Sequence, residues 1–230
     1  MKLPQSRRNH IKQISGAILA PYIASTSWAK SPPSERVRHA SFGGMGMAGT
    51  DLGQIKNHPN VDLVAVSEID PNRRRQVQSR LRGAKIYSDW REMLDKEKDI
   101  DAITISTPDH NHAKIAYDTM NRGIHVYVQK PLTHTIAEAR LLAKTAEKNK
   151  IVTQMGNQGG SCIGVKKVKE WIDAKEIGDI NKVYAWTDRP VWPQGFKMPG
   201  PSVSKPEDLE WDLWLGPAKE MAYRPEFHPF

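Results

Sequence analysis

The stretch from Val37 to Asp51, VRHASFGGMGMAGTD, constrains the rest of the chain most. A run able to form a strand ends at Phe42. Gly44, Gly46 and Gly49 follow in the spacing G-x-G-x-x-G, and a polar helix start comes next. In that order the first glycine permits a tight turn out of the strand. The second lets a diphosphate approach the backbone, and the third lets the helix pack close to the strand. The helix N-terminus then faces the phosphates with its unpaired N–H groups. Glycine-rich turns are common, so context decides. Val61 to Val66, VDLVAV, reads as a second strand that runs on to Glu68. Glu68 lies 19 positions after Gly49, close to the roughly 20 expected of a carboxylate that takes a ribose diol. The pattern predicts a dinucleotide site. The competing reading is a glycine-rich turn in another α/β protein.

Strands and helices alternate through the first two thirds of the chain. Strands are expected at about Arg36–Phe42, Val61–Ser67, Lys85–Tyr87, Ala102–Ser106, Ile124–Val128 and Ile151–Met155. Between them the text predicts helices. One runs from Gly46 to about Asn57, stopped by Pro59, and one from Pro71 through Arg82. A short one covers Asp89–Lys96 with Asp89 as N-cap, and another is capped by Asp109, carries Ile115, Ala116 and Met120 on one face, and ends at Gly123. Thr135-x-x-Glu138 is a capping box for the last. This rhythm predicts an α/β fold, a Rossmann-type doubly wound parallel sheet over residues 36–155. After Gly156 the rhythm changes. A helix is expected at Cys162–Lys175 with Val165, Val168 and Ile172 inward, then a strand at Asn181–Thr187. Residues 156–230 read as the beginning of an incomplete α/β (α+β) C-terminal domain.

Charge is uneven along the 230 residues. Residues 1–29 hold Lys2, Arg7, Arg8 and Lys12 and no acid, which accounts for half of the net charge of +8. The excess elsewhere is too mild to argue for nucleic acid. The basic head precedes an apolar stretch, Ile14 to Ile23, and small residues up to Ala29. That is the layout of a secretory signal, and Arg7-Arg8 give it a twin-arginine character. His10 and Pro21 depart from that pattern. The apolar run is shorter than the ~20 residues that span a bilayer. The expectation is bacterial export to the periplasm, with a signal over 1–29 and a Pro- and Ser-rich linker over 30–35. The lone Cys162 excludes an intrachain disulfide.

In an open parallel sheet, ligands bind outside the carboxyl ends of the strands. Here those ends carry the glycine turn, Glu68, Thr107-Pro108 with His110 and His112, and Gln129-Lys130. A lysine directly after an apolar strand is rarely placed where it must be partly desolvated without reason. The Lys130 ammonium can hydrogen-bond a substrate hydroxyl and assist its deprotonation, which makes Lys130 the candidate catalytic residue. The bland alternative is a surface lysine at a turn. His110 and His112 are too few for a structural zinc site, no metal is expected, and a structural or ligand-orienting role is expected of them instead. Trp186, Trp192, Trp211 and Trp214 can stack on sugar C–H faces or pack an interdomain core; both readings stay open.

The glycine motif, TPDHNHA at 107–113 and HVYVQKPL at 125–132 together resemble the Gfo/Idh/MocA family, the glucose–fructose oxidoreductase and inositol dehydrogenase group. The resemblance extends over about residues 36–230. MGNQGG at 155–160 and WDLWLGPA at 211–218 resemble a sugar-related branch of exported bacterial members. It implies an N-terminal Rossmann domain for NAD, with NADP possible, and a C-terminal domain with a large open sheet for a sugar or polyol. Gly44, Gly46 and Gly49 would hold the diphosphate. Glu68 would favour NAD, a preference that Arg73, Arg74 and Arg75 weaken. Thr107, Pro108 and His112 would lie along the cofactor, His112 near the nicotinamide. Lys130 matches the lysine of the family's E-K-P motif, which contacts substrate and nicotinamide; Gln129, standing where Glu is commoner, would lie with it along the cofactor, and Pro131 matches a proline that is often cis. Asn157, Trp186 and Trp192 are the candidate substrate contacts.

The resemblance also implies a second motif, an Asp and a His four positions apart, where the His is the base. Nothing after Trp211 has that spacing. The expectation is a C-terminally truncated chain that binds dinucleotide without turning over, and a homo-oligomer when full length. Two alternatives stand beside a hydride-transferring oxidoreductase: a non-catalytic dinucleotide- or sugar-binding protein, and an enzyme that cleaves glycosides by transient oxidation.

Overall fold

The computed structural model describes residues 35–186 and 200–227. The expected signal sequence, the linker up to residue 34, Thr187 and Trp192 lie outside the described residues.

Six strands form one sheet: β1 (Val37–Phe42), β2 (Val61–Ser67), β3 (Lys85–Tyr87), β4 (Ala102–Ile105), β5 (His125–Gln129) and β6 (Thr153–Gly156). Every neighbouring pair is parallel, in the order β3-β2-β1-β4-β5-β6. The winding reverses between β1 and β4, and that reversal opens a crevice at the carboxyl ends of the two strands. The connecting helices are α1 (Met47–Ile55), α2 (Pro71–Arg80), α3 (Trp90–Lys96), α4 (His112–Met120) and α5 (Ile136–Asn149); α6 (Ile163–Asp173) and the short α7 (Trp211–Leu215) follow the sheet.

Successive strand side chains point to opposite faces, so a buried sheet needs two cores. Ala65 of β2 joins Phe42, Ile103, Ile105 and Val128 in the larger core, with Met93, Ile115 and Met120 from α3 and α4. The next residue, Val66, packs with Leu52 of α1 and Val77 of α2 on the other face. Helices therefore cover both faces, which is the doubly wound arrangement that the alternating pattern predicts.

The helix starts follow capping chemistry. Asp70 accepts the N–H groups of Asn72 and Arg73 at 2.8 and 3.1 Å, with Pro71 in the first turn of α2. Asp89 caps α3 through the Arg91 N–H at 2.7 Å. Thr135 and Glu138 close the expected capping box at α5.

The structure corrects the sequence reading in several places. Asp109 does not cap α4. The Pro108 carbonyl takes the Asn111 N–H at 2.9 Å, so Asp109 falls inside a 3-10 turn, Asp109–Asn111, and the α-helix begins at His112. β6 starts at Thr153, two residues late, because Lys150 ends α5 in the left-handed conformation with φ 55°. The apolar face of α6 is not inward: Val165 and Val168 are each 50% exposed and Ile172 41%. Periodicity identifies an apolar face, but it does not supply the partner, and none covers this face among the described residues. Residues 181–186 form no strand. A strand needs a neighbour for its N–H and C=O groups, and no described strand pairs with them.

Residues 200–227 carry a small core of their own. Leu209, Trp211 and Leu215 are buried together with Trp214, Tyr223 and Phe227 around them. Leu213 packs against the main core.

Candidate cofactor site

The glycine turn leaves β1 directly for α1. The turn conformation falls at Gly43, one residue before the motif: its φ is 90°, and a Cβ there would stand 2.6 Å from the Ser106 carbonyl oxygen. Gly44 is constrained by packing instead, since a Cβ would lie 2.3 Å from Val77 Cγ2. Gly46 has φ 60° with nothing within 4 Å of the missing side chain, so its outer side is open. Gly49 meets only the Gly44 carbonyl oxygen, at 3.4 Å. The tight turn thus falls at Gly43, one position before the first motif glycine, while Gly46 keeps the open side expected of the second. Gly46 is also the N-cap of α1 and supplies no side-chain acceptor. The first N–H groups of α1 are left for a ligand, and the helix dipole favours an anion there.

Glu68 is buried at the end of β2. Its Oε2 accepts the Gly44 N–H at 3.1 Å and its Oε1 accepts the Asp70 N–H at 3.2 Å. The carboxylate therefore ties the glycine turn to the start of α2. A carboxylate has about four acceptor sites, so two are left for a diol. Of the three arginines that follow, Arg73 alone lines the cleft. Arg74 donates to the Glu68 and Ile69 carbonyls at 3.0 and 3.3 Å, and Arg75 bonds Asn72.

Glu68 and the glycine turn open on a cleft of about 800 Å³ at the β1–β4 crevice. Thr107 and Pro108 line its far side, with Asn111, Ile115, Trp90 and the aromatic residues Trp214 and Phe227. The Thr107 hydroxyl is buried with no hydrogen-bond partner. A buried polar atom in that state costs about 1–3 kcal/mol unless something pairs with it. An open helix N-terminus, a glycine without a near neighbour, a carboxylate with spare lone pairs and an orphaned hydroxyl on one cleft fit a dinucleotide.

His112 does not line that cleft. Its ring is buried, with Nδ1 2.6 Å from the Pro131 carbonyl oxygen and Nε2 2.9 Å from that of Thr107. It sits between the loop after β4 and the loop after β5, with its ring N–H able to donate to either carbonyl. These contacts give His112 the structural, orienting role expected of it. His110 points elsewhere, to the Trp214 carbonyl at 2.6 Å. No group of His, Cys, Asp or Glu able to hold a metal occurs among the described residues.

Gln129 and Lys130 stand at the end of β5, off the cleft. The Gln129 amide donates to Asp51 Oδ2 at 2.8 Å, and the Ser106 hydroxyl donates to the same oxygen at 3.0 Å. Gln129 Oε1 accepts the Lys130 N–H at 3.3 Å and the Gln158 amide at 3.2 Å. Asp51 thus joins α1 to the ends of β4 and β5. Burial first, and then the charge of Asp51, pushes the neighbouring Tyr127 hydroxyl up. Lys130 itself is exposed and forms no ion pair among the described residues, and the Lys130–Pro131 bond is cis. Gly43 and Asp51 escaped the sequence reading. The signal for Asp51 was an acid two residues after the last motif glycine.

The expected substrate contacts are not gathered at the cleft. Asn157 is exposed in the loop after β6, and Trp186 is 87% exposed. Trp211 is buried and stacks on Trp214 with centroids 4.7 Å apart, so Trp211 acts in packing while Trp214 also lines the cleft.

Fold and site together define a Rossmann domain with a dinucleotide cleft. The chain belongs to the Gfo/Idh/MocA family, described as an oxidoreductase family with an NAD-binding Rossmann fold, whose model matches residues 39–157. It is 30% identical over 143 residues to inositol 2-dehydrogenase of Salmonella typhimurium, an alignment spanning 60% of this chain and 42% of that enzyme. It is 46% identical over 59 residues to a glycosyl hydrolase family 109 protein of Shewanella sp. strain ANA-3, covering 26% of this chain and 13% of that protein. Among solved structures, myo-inositol 2-dehydrogenase from Lactobacillus plantarum superimposes with a TM-score of 0.59 at 26% identity, over 63% of this chain and 43% of that one. The chain spans less than half the length of these relatives.

Proposed function

We propose that the chain is the cofactor-binding portion of an NAD-dependent oxidoreductase that moves a hydride between the nicotinamide and a hydroxyl-bearing carbon of a sugar, polyol or glycoside. The observation that carries this is one edge of one sheet, where the glycine turn, Glu68, Thr107 and Lys130 follow successive parallel strands. The N–H groups at the start of α1 bind the diphosphate, and Glu68 accepts from the ribose hydroxyls. The nicotinamide supplies the hydride acceptor or donor. Lys130, held by Gln129 on one side and by the loop that His112 contacts on the other, hydrogen-bonds the substrate hydroxyl and stabilises its oxygen as the proton leaves.

Calorimetry tests the cofactor assignment. NADH is expected to bind more tightly than NADPH, and Glu68→Ala is expected to weaken NADH by about 1–3 kcal/mol, as for a lost hydrogen bond to a charged group. Tighter binding of NADPH by the unaltered chain would remove Glu68 from this role.

A second reading has its own support. The 46% identity over 59 residues to a glycosyl hydrolase family 109 protein favours redox-assisted cleavage of a glycoside. There, oxidation at one carbon would acidify the neighbouring C–H, loss of that proton would expel the aglycone as its alcohol, water would add across the resulting double bond, and the hydride would return to the ketone, so no net NADH would form.

Export is also part of this proposal, supported by Arg7-Arg8 ahead of the apolar stretch. Replacing both with lysine should hold the precursor in the cytoplasm. An undiminished periplasmic yield would refute the twin-arginine route.

A further inference from the structure

The family match ends at residue 157, yet Leu213, Trp214 and Phe227 line the same cleft as the glycine turn and Glu68. Their segment is anchored, not merely adjacent. His110 and Asn111 donate to the Trp214 carbonyl at 2.6 and 2.9 Å. Gly216, at φ 51°, comes so close to Asn111 that a Cβ would stand 1.7 Å from Oδ1. The Arg91 guanidinium, held charged first by its hydrogen bonds to Asp89, also lies in the field of Glu210 and Asp212. Behind the wall, Trp211 stacks on Trp214 with an interplanar angle of 10°, and Tyr223 meets Trp211 edge-on. The plane of the Trp214 ring is therefore fixed from behind.

The cleft also has a direction. Beyond Glu68 its lining continues through Ile69 and Arg73 on one side and Asn111 and Ile115 on the other, whereas Gln129 and Lys130 are not part of it. If Glu68 takes a ribose and Lys130 marks the reacting end, the enclosed half belongs to the adenosine. We infer that residues 209–227 form the outer wall of an adenine pocket, with Trp214 and Phe227 giving it aromatic surface. Such surface stacks on a purine without needing hydrogen bonds. The wall sets both the affinity and the release rate of the cofactor. This inference rests on the dinucleotide reading above.

The test uses the 230-residue chain, with ADP-ribose, NADH and nicotinamide mononucleotide as probes. Trp214→Ala should weaken ADP-ribose about tenfold and speed NADH dissociation in stopped flow by a similar factor, while mononucleotide binding is unchanged. Gly216→Ala alters no side chain of the cleft. It should reproduce the effect by forcing the segment off Asn111, with the circular dichroism of the sheet preserved. Unaltered ADP-ribose affinity in both variants would overturn the wall and leave the cofactor site standing. If the unaltered chain bound neither ADP-ribose nor NADH, both would fall.

Discussion

His39 shows how one residue can write a pH dependence into the fold. It sits in β1 with its Nε2 2.9 Å from the Thr104 hydroxyl, and burial lowers its pKa from 6.5 to about 4. Above pH ~6.5 the imidazole is neutral in both the folded and the unfolded chain. As pH falls below that, the unfolded chain takes up the proton first, so stability is lost from pH ~6.5 down through pH ~4. The loss comes to about 3 kcal/mol by pH 4. Denaturant unfolding at several pH values should show it, and His39→Gln should remove that part of the slope. An equal slope in the variant would mean that another group governs acid unfolding. The glycine turn gives the complementary residue-scale lesson. The motif was legible because glycine is the residue for close approach. Which glycine bears the turn was not, because the clash with the Ser106 carbonyl that Gly43 avoids involves the residue just after β4, far along the sequence.

At the scale of elements, local chemistry was legible and long-range partners were not. The alternation of strands and helices follows from apolar runs and the turn and capping residues between them. The capping box at Thr135 follows from a pattern four residues long. Where a proline carbonyl competes for an N–H, the local rule fails, as at Asp109. The contrast is measurable. Asp70→Ala removes an acceptor for two N–H groups of α2 and should cost about 1 kcal/mol. Asp109→Ala removes no cap and should stay within about 0.5 kcal/mol. Urea midpoints with equal m-values decide it; equal losses in the two variants would contradict the capping seen here. The expected strand at Asn181–Thr187 and the inward face of α6 failed for a different reason. Both depend on a surface to pair with, and a sequence pattern states the need for a partner without naming one.

At the scale of the molecule, the question is what this sheet edge can do alone. In the proposed reading the cleft, the carboxylate and the helix N-terminus, with the wall of residues 209–227, bind the dinucleotide. Turnover needs more: a substrate floor opposite the nicotinamide and a base for the hydroxyl proton. In the proposed role Lys130 polarises the hydroxyl, but a positioned base is typically worth ~10²–10⁴-fold in rate. The candidate substrate contacts Asn157 and Trp186 are exposed rather than gathered around Lys130. We therefore predict that it binds NADH and shows no measurable turnover on a panel of polyols, sugars and aryl glycosides. Two channels should be followed together, nicotinamide absorbance for net oxidation and phenol release for glycoside cleavage. Joining the chain to the remainder of a homologous dehydrogenase should then switch on one of them. Absorbance would select hydride transfer, and NAD-dependent phenol release without absorbance change would select redox-assisted cleavage. Full turnover by the 230-residue chain itself would mean that Lys130 and the strand ends already contain the base, and the division of labour proposed here would be wrong.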